Sequence, residues 1–137
     1  MSETRAASLP RRYAIGERKG ASFILYPEQK LVVFTLGNRV TVNELEEYAR
    51  LLQQDPAFQP TFSEIADMRS IQEVDLQADD MMRMADEIDP FSHEAKRAFV
   101  VKTQSQAHAA RMHKILLTHR NFEIFRSLEE AQRWIHA

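Results

Sequence analysis

Three groups of side chains in this 137-residue chain have types and spacings that could do chemistry. The first is Asp67 with Arg69, which close the run Ile65-Ala66-Asp67-Met68-Arg69. A carboxylate and a guanidinium at the C-terminal end of a parallel strand stand where open α/β sheets bind ligands, and there they could orient a polar or anionic group. The plainer reading, which we favour, makes Asp67 a brace for the following loop and Arg69 its local ion-pair partner. The second group is histidine, at 93, 108, 113, 119 and 136. His108 and His113 are five residues apart and project about 140° from each other on a helix, so they are not the i, i+4 pair of a zinc helix. His108 and His119 share a face but lie three turns apart, too far to share an ion. The expectation is no metal site. The third group is basic: Lys102, Arg111, Lys114 and Arg120 accompany the histidines and could receive an anionic head group or an acidic partner, although solvated helix surface is the plainer reading. Asp67, Arg69, Arg111 and His108 are therefore the candidate ligand-binding residues.

Two further patterns carry weaker chemistry. The acidic series Asp75, Asp79, Asp80, Asp86, Glu87 and Asp89 lacks the spacing and turn glycine of a calcium loop, and reads as an outer helix face. Met81, Met82, Met84 and Met112 supply flexible, polarizable surface suited to a lipid tail or a partner helix, but at helical spacing they read first as core. Met82 lies to one side of that stripe and reads as a partly exposed contact.

Several classes are excluded outright. With no cysteine there are no disulfides, thiolate metal sites or thiol nucleophiles. Glycine occurs only at 16, 20 and 37, so no nucleophile elbow, phosphate cradle or dinucleotide fingerprint is present. No catalytic residue and no cofactor is expected. Apolar residues make up 44% and charged residues 28%, as in an ordinary soluble domain. An isoelectric point near 6.2 argues against nucleic acid as a partner. The apolar runs fall short of the ~20 residues of a membrane span, and MSETRAASLPRR lacks the apolar centre of a secretion signal, so the expected location is cytoplasmic. Net charge is −2, but it is +3 over residues 1–20, −10 over 21–95 and +5 over 96–137. Such asymmetry suits self-association, and a homodimer is one expectation.

These side chains need elements to position them. Residues 1–12 read as a mobile tail and 13–137 as one domain. Phe23–Tyr26 and Leu31–Leu36, separated by four residues, read as a hairpin, its second strand buried on both faces. Thr41-x-x-Glu44 is a capping box opening a helix from Val42 to about Gln54, stopped by Asp55-Pro56. A strand from Phe62 to Asp67 follows. Then comes a helix capped by Asp75 and ending near Ile88, with Met81, Met84, Ala85 and Ile88 inward. Ala98–Val101 is a strand, Gln104 to about His119 a helix with Ala109, Met112, Ile115 and Leu116 inward, and Phe122–Phe125 a last strand. Ser127-x-x-Glu130 caps a terminal helix. The class is therefore α/β: about five strands in a small, mostly parallel sheet with an antiparallel N-terminal hairpin, packed with about four helices.

In that order and spacing, several stretches resemble the SpoIIAA-like family, related to STAS domains (anti-sigma-factor-antagonist modules). They are Leu31–Leu36 with Thr41-x-x-Glu44-Leu45; Asp55-Pro56-Ala57-Phe58; Ile65–Arg69; Ala110-Arg111-Met112; and Phe125–Ile135. The resemblance implies a small mixed sheet backed by helices, in bacterial single-domain proteins. Signalling members of the wider fold carry a switch serine just after an aspartate, where phosphorylation breaks a partner interface. Matching Asp67 and Asp75 to the aspartates of that pattern places Leu76 on the serine's position, so no regulatory phosphosite is expected; Ser70 reads as a turn residue. The resemblance thus implies a non-enzymatic binding or regulatory module of STAS type working through a protein partner. The alternatives are a carrier of a small apolar ligand or lipid, with the Met-rich helix as lid, and an enzyme without a recognisable signature.

Overall fold

The computed structural model describes residues 9–16, 20–117 and 121–137. Its strands are β1 (Arg11–Ala14), β2 (Ser22–Tyr26), β3 (Leu31–Thr35), β4 (Arg39–Thr41), β5 (Ser63–Asp67), β6 (Glu73–Asp75), β7 (Arg97–Val100) and β8 (Phe122–Phe125). Its helices are α1 (Val42–Gln54), α2 (Ala78–Arg83, continued by a π-helical turn Met84–Ile88), α3 (Gln104–Leu117) and α4 (Leu128–Ile135). Six strands form one sheet in the order β1-β2-β3-β5-β7-β8. The first three are antiparallel neighbours, and β3, β5, β7 and β8 run parallel. This is the α/β class expected from the alternation of strands and helices.

Strand order follows chain order from β3 to β8, so successive crossovers step in one direction and carry α1, α2 and α3 to one face. There Phe23, Leu25, Val32, Phe34, Ala66 and Phe99 meet the helices in the larger core. Pleating sends alternate residues to the opposite face, where Leu31, Ile65, Ala98 and Val100 pack against Ala131 and Ile135 of α4. Both N-caps form, though without the return bond from the cap amide: Thr41 Oγ1 accepts from the Glu44 amide at 3.3 Å, and Ser127 Oγ from the Glu130 amide at 3.2 Å, while each cap hydroxyl donates to the same glutamate's carboxylate.

Four expectations need correction. Arg11 and Arg12, assigned to the tail, form the first half of β1; residues 1–8 lie outside the described residues. The strand is held by its inward side chains, because Arg11 Nη1 and Tyr13 Oη donate to the two oxygens of Asp55 at 2.9 and 2.6 Å. Asp75 is not a helix cap. It belongs to β6, which pairs in parallel with β4 as a separate two-stranded sheet, and it binds Arg39. Gln77 occupies the cap, with its amide donating to Asp80 Oδ2 at 3.0 Å. The inward face of α3 is Gln106, Ala107 and Ala110, whereas Met112 and Ile115 are 42% and 69% exposed. At about 100° per residue, positions 112 and 115 lie roughly opposite 106, 107 and 110, so this choice of inward face turns Met112 and Ile115 to solvent. Finally, α2 is six α-helical residues plus a π turn rather than one continuous helix. The far end of α3, including His119 and Arg120, lies outside the described residues.

Candidate ligand-binding cavity

A cavity of about 110 Å³ lies between the sheet and α1, α2 and α3. Two features create it. Ala49 of α1, Ala66 of β5 and Ala109 of α3 line three walls with a single methyl each. The fourth wall, α2, does not close down to fill the gap: no residue of Ala78–Arg83 is buried, and only Met84 is buried in the π turn. Met81, Met84 and Ile88 hang over the space from this side. A π turn re-aims the side chains that follow it and is common at functional sites.

Pleating orients the cavity along the strands. Glu64 and Ala66 on β5 and Arg97 and Phe99 on β7 face it, and Met68 continues the line. From Glu64 to Met68 is about 13 Å at the usual strand rise. At the C-terminal edge of the sheet the walls are Leu36, Met68, Ile71, Val74 and Leu76. Val74 on this wall is 45% exposed. Ligands of open α/β sheets enter at that edge.

The far end is polar. Glu64 and Arg97 are register partners on adjacent strands, both buried. Arg97 Nε and Nη2 donate to Glu64 Oε1 at 3.0 and 2.8 Å, and Nη1 donates to Asp89 Oδ2 at 2.7 Å. Tyr48 Oη donates to Glu64 Oε2 at 2.5 Å. The guanidinium lies 4.6 Å from the centre of the Phe91 ring. Burial pushes the Tyr48 phenol well above its ordinary value, and the Glu64 charge and hydrogen bond push it further. Burial works against the Arg97 cation, but Glu64 and Asp89 outweigh it, and the net shift is upward. Both groups therefore keep their protons at neutral pH, and neither is a base.

The residues singled out in the sequence lie elsewhere. Arg69 Nε and Nη2 donate to Asp67 Oδ1 and Oδ2 at 2.9 and 2.8 Å, and the Arg69 amide donates to Oδ1 at 3.1 Å. Burial raises Asp67, but the Arg69 hydrogen bonds and charge together outweigh it and hold the carboxyl below its ordinary value. This is the self-contained brace of the plainer reading. Met68 between the two lines the cavity; they do not. His108 and Arg111 are exposed on α3, and among the described residues no hydrogen bond joins them to Asp67 or Arg69. Leu76 is half-buried on the cavity wall, just before the α2 cap. Ser70 is exposed in the turn after β5. Among the described residues no group of three or more potential ligands could hold a metal ion.

The sequence reading passed over Tyr48, Glu64, Asp89 and Arg97 as a group. A usable signal existed: Glu64 and Arg97 are opposite charges embedded in otherwise apolar strands, Ser63–Asp67 and Arg97–Val100.

The chain is similar in structure to an uncharacterised protein of the DUF3478 family with a SpoIIAA-like fold from Shewanella loihica PV-4. The likeness covers 89% of this chain and 98% of that one, with a TM-score of 0.59 and 17% sequence identity. The fold of this chain is thus SpoIIAA-like. No protein-family model and no curated protein matches the chain.

Proposed function

We propose that this chain is a non-enzymatic binding module of STAS type that takes a small, largely apolar molecule into the cavity beneath α2. The observation that carries this reading is the cavity itself: largely apolar walls that reach the C-terminal edge of the sheet, and across it a methionine-bearing helix with no buried side chain in Ala78–Arg83. A cavity of about 150 Å³ lined by Leu, Ile and Phe is large enough for benzene, so 110 Å³ suits a compact occupant or one segment of a longer chain. Of the earlier readings, the apolar-ligand carrier therefore gains most. The protein-partner reading keeps one element, the absence of a phosphorylation switch, which Leu76 supports because it has no hydroxyl.

Native mass spectrometry of freshly purified protein tests the reading. A stoichiometric apolar adduct, or uptake of one benzene-sized molecule on exposure, is the expected result; a protein that never takes up either overturns it. Incubation with cellular kinases and ATP is expected to leave residues 70–88 unlabelled, and stoichiometric phosphate at Ser70 or at Ser63 would overturn the no-switch element.

A further inference from the structure

We infer that the polar end of the cavity selects an occupant whose head group donates hydrogen bonds, an alcohol or an ammonium, and rejects a carboxylate. This inference rests on the proposed binding of an apolar molecule in the cavity.

The argument is an inventory of donors and acceptors. Tyr48 has one hydroxyl proton, and it is committed to Glu64 Oε2 at 2.5 Å. Arg97 has five N–H groups, and directs Nε–H and one Nη2–H at Glu64 Oε1 and one Nη1–H at Asp89 Oδ2. Its flat face is covered by Phe91. Four of the six donor protons of Tyr48 and Arg97 are thus aimed at Glu64 and Asp89, whose two carboxylates alone offer about eight lone-pair sites. Acceptors are in surplus. A carboxylate offers about four lone-pair sites, and Glu64 uses three of them on Tyr48 and Arg97. The Tyr48 oxygen adds acceptor capacity of its own. Glu64 and Asp89 against Arg97 give these side chains a formal net charge of −1. A ligand carboxylate arriving here meets like charge in a desolvated place, which is costly. An O–H or N–H meets open lone pairs. Among the described lining residues the further polar side chain is His113, whose ring is stacked on Phe99 at 5.6 Å.

Matched butyl probes decide it. Butanol, butylammonium and butyrate share one tail and differ only in the head. Each is titrated into the full chain at pH 8, where an ordinary imidazole is neutral, with benzene as the headless control. The methyl resonances of Met81 and Met84 report occupancy. The expected result is saturable shifts with benzene, and affinities for butanol and butylammonium at least about tenfold above that for butyrate. Benzene binding combined with butyrate equal to or tighter than butanol overturns the selectivity and leaves the cavity reading standing. No shift with any probe overturns both. Glu64→Gln is expected to cut the ammonium-over-butyrate ratio about tenfold. Tyr48→Phe keeps the ring packed on Phe34 and releases a Glu64 lone pair, so it is expected to raise butylammonium affinity. An unchanged ratio in a folded Glu64→Gln, or a weaker ammonium affinity in Tyr48→Phe, contradicts the inference.

Discussion

Arg97 is the side chain on which the polar end of the cavity depends. It pairs with both Glu64 on the neighbouring strand and Asp89 at the end of the π turn, so it joins the sheet to the end of α2. Buried ion pairs add little net stability over apolar packing, but removing one partner strands the other in a desolvated site. Arg97→Met is therefore expected to destabilise the fold by about 3–5 kcal/mol, read as a lower urea midpoint. A loss under about 1 kcal/mol would mean that the network is better solvated than its burial implies. Asp67 behaves differently. Its carboxyl is held below its ordinary value of 3.8, so the unfolded chain binds more protons than the folded one in the acid range. The stabilisation is present above 3.8 and is lost as pH falls through the depressed folded value. Asp67→Asn is expected to flatten the acid limb of a stability–pH curve; an unchanged limb contradicts the brace. At this scale the sequence was legible where partners are close along the chain. Asp67 and Arg69, two apart, were read as a pair, and so were Thr41 and Glu44. Glu64 and Arg97 are 33 residues apart and meet only through strand register, which residue spacing does not reveal.

Among the elements, α2 is the one expected to open most readily, although the Arg97–Asp89 pair holds its end. It buries no side chain in its α-helical turns, and it is tied to α1 by the exposed Arg83–Glu46 pair. Exposed pairs contribute little, about 0–1 kcal/mol. Amides of residues 78–88 are expected to exchange with deuterium well before those of α1, whose Tyr48, Ala49 and Leu52 are buried. Equal protection would remove the lid. Ala109→Leu on α3 is expected to fill the cavity and abolish uptake of a benzene-sized molecule, with stability kept within about 1–3 kcal/mol. Uptake that survives the substitution would place the ligand elsewhere. The long periodic helices and the central strands were readable because hydrophobic spacing alone specifies them. β1, β4 and β6 were not, since each has three or four residues with charged side chains among them. The π turn was invisible too, because Met81, Met84 and Ile88 fit an α-helical stripe equally well.

For the whole molecule, the alternation of strands and helices sufficed for the α/β class, and the six-stranded sheet with its antiparallel start and a SpoIIAA-like neighbour agrees with it. The cavity was not readable in the same way. It is a volume left where three alanines from different elements face one another under a short helix, and no linear pattern encodes such a coincidence. Met81 and Met84 on its wall were singled out in the sequence, but its polar end was not. The claim that matters most is that this space accepts an apolar guest. Crystals of the chain pressurised with xenon test it directly. The expected result is one xenon peak inside the 110 Å³ cavity, in contact with Met84, Ala66 and Ala109. Crystals that take up no xenon there, or hold it only at other places, would contradict the account.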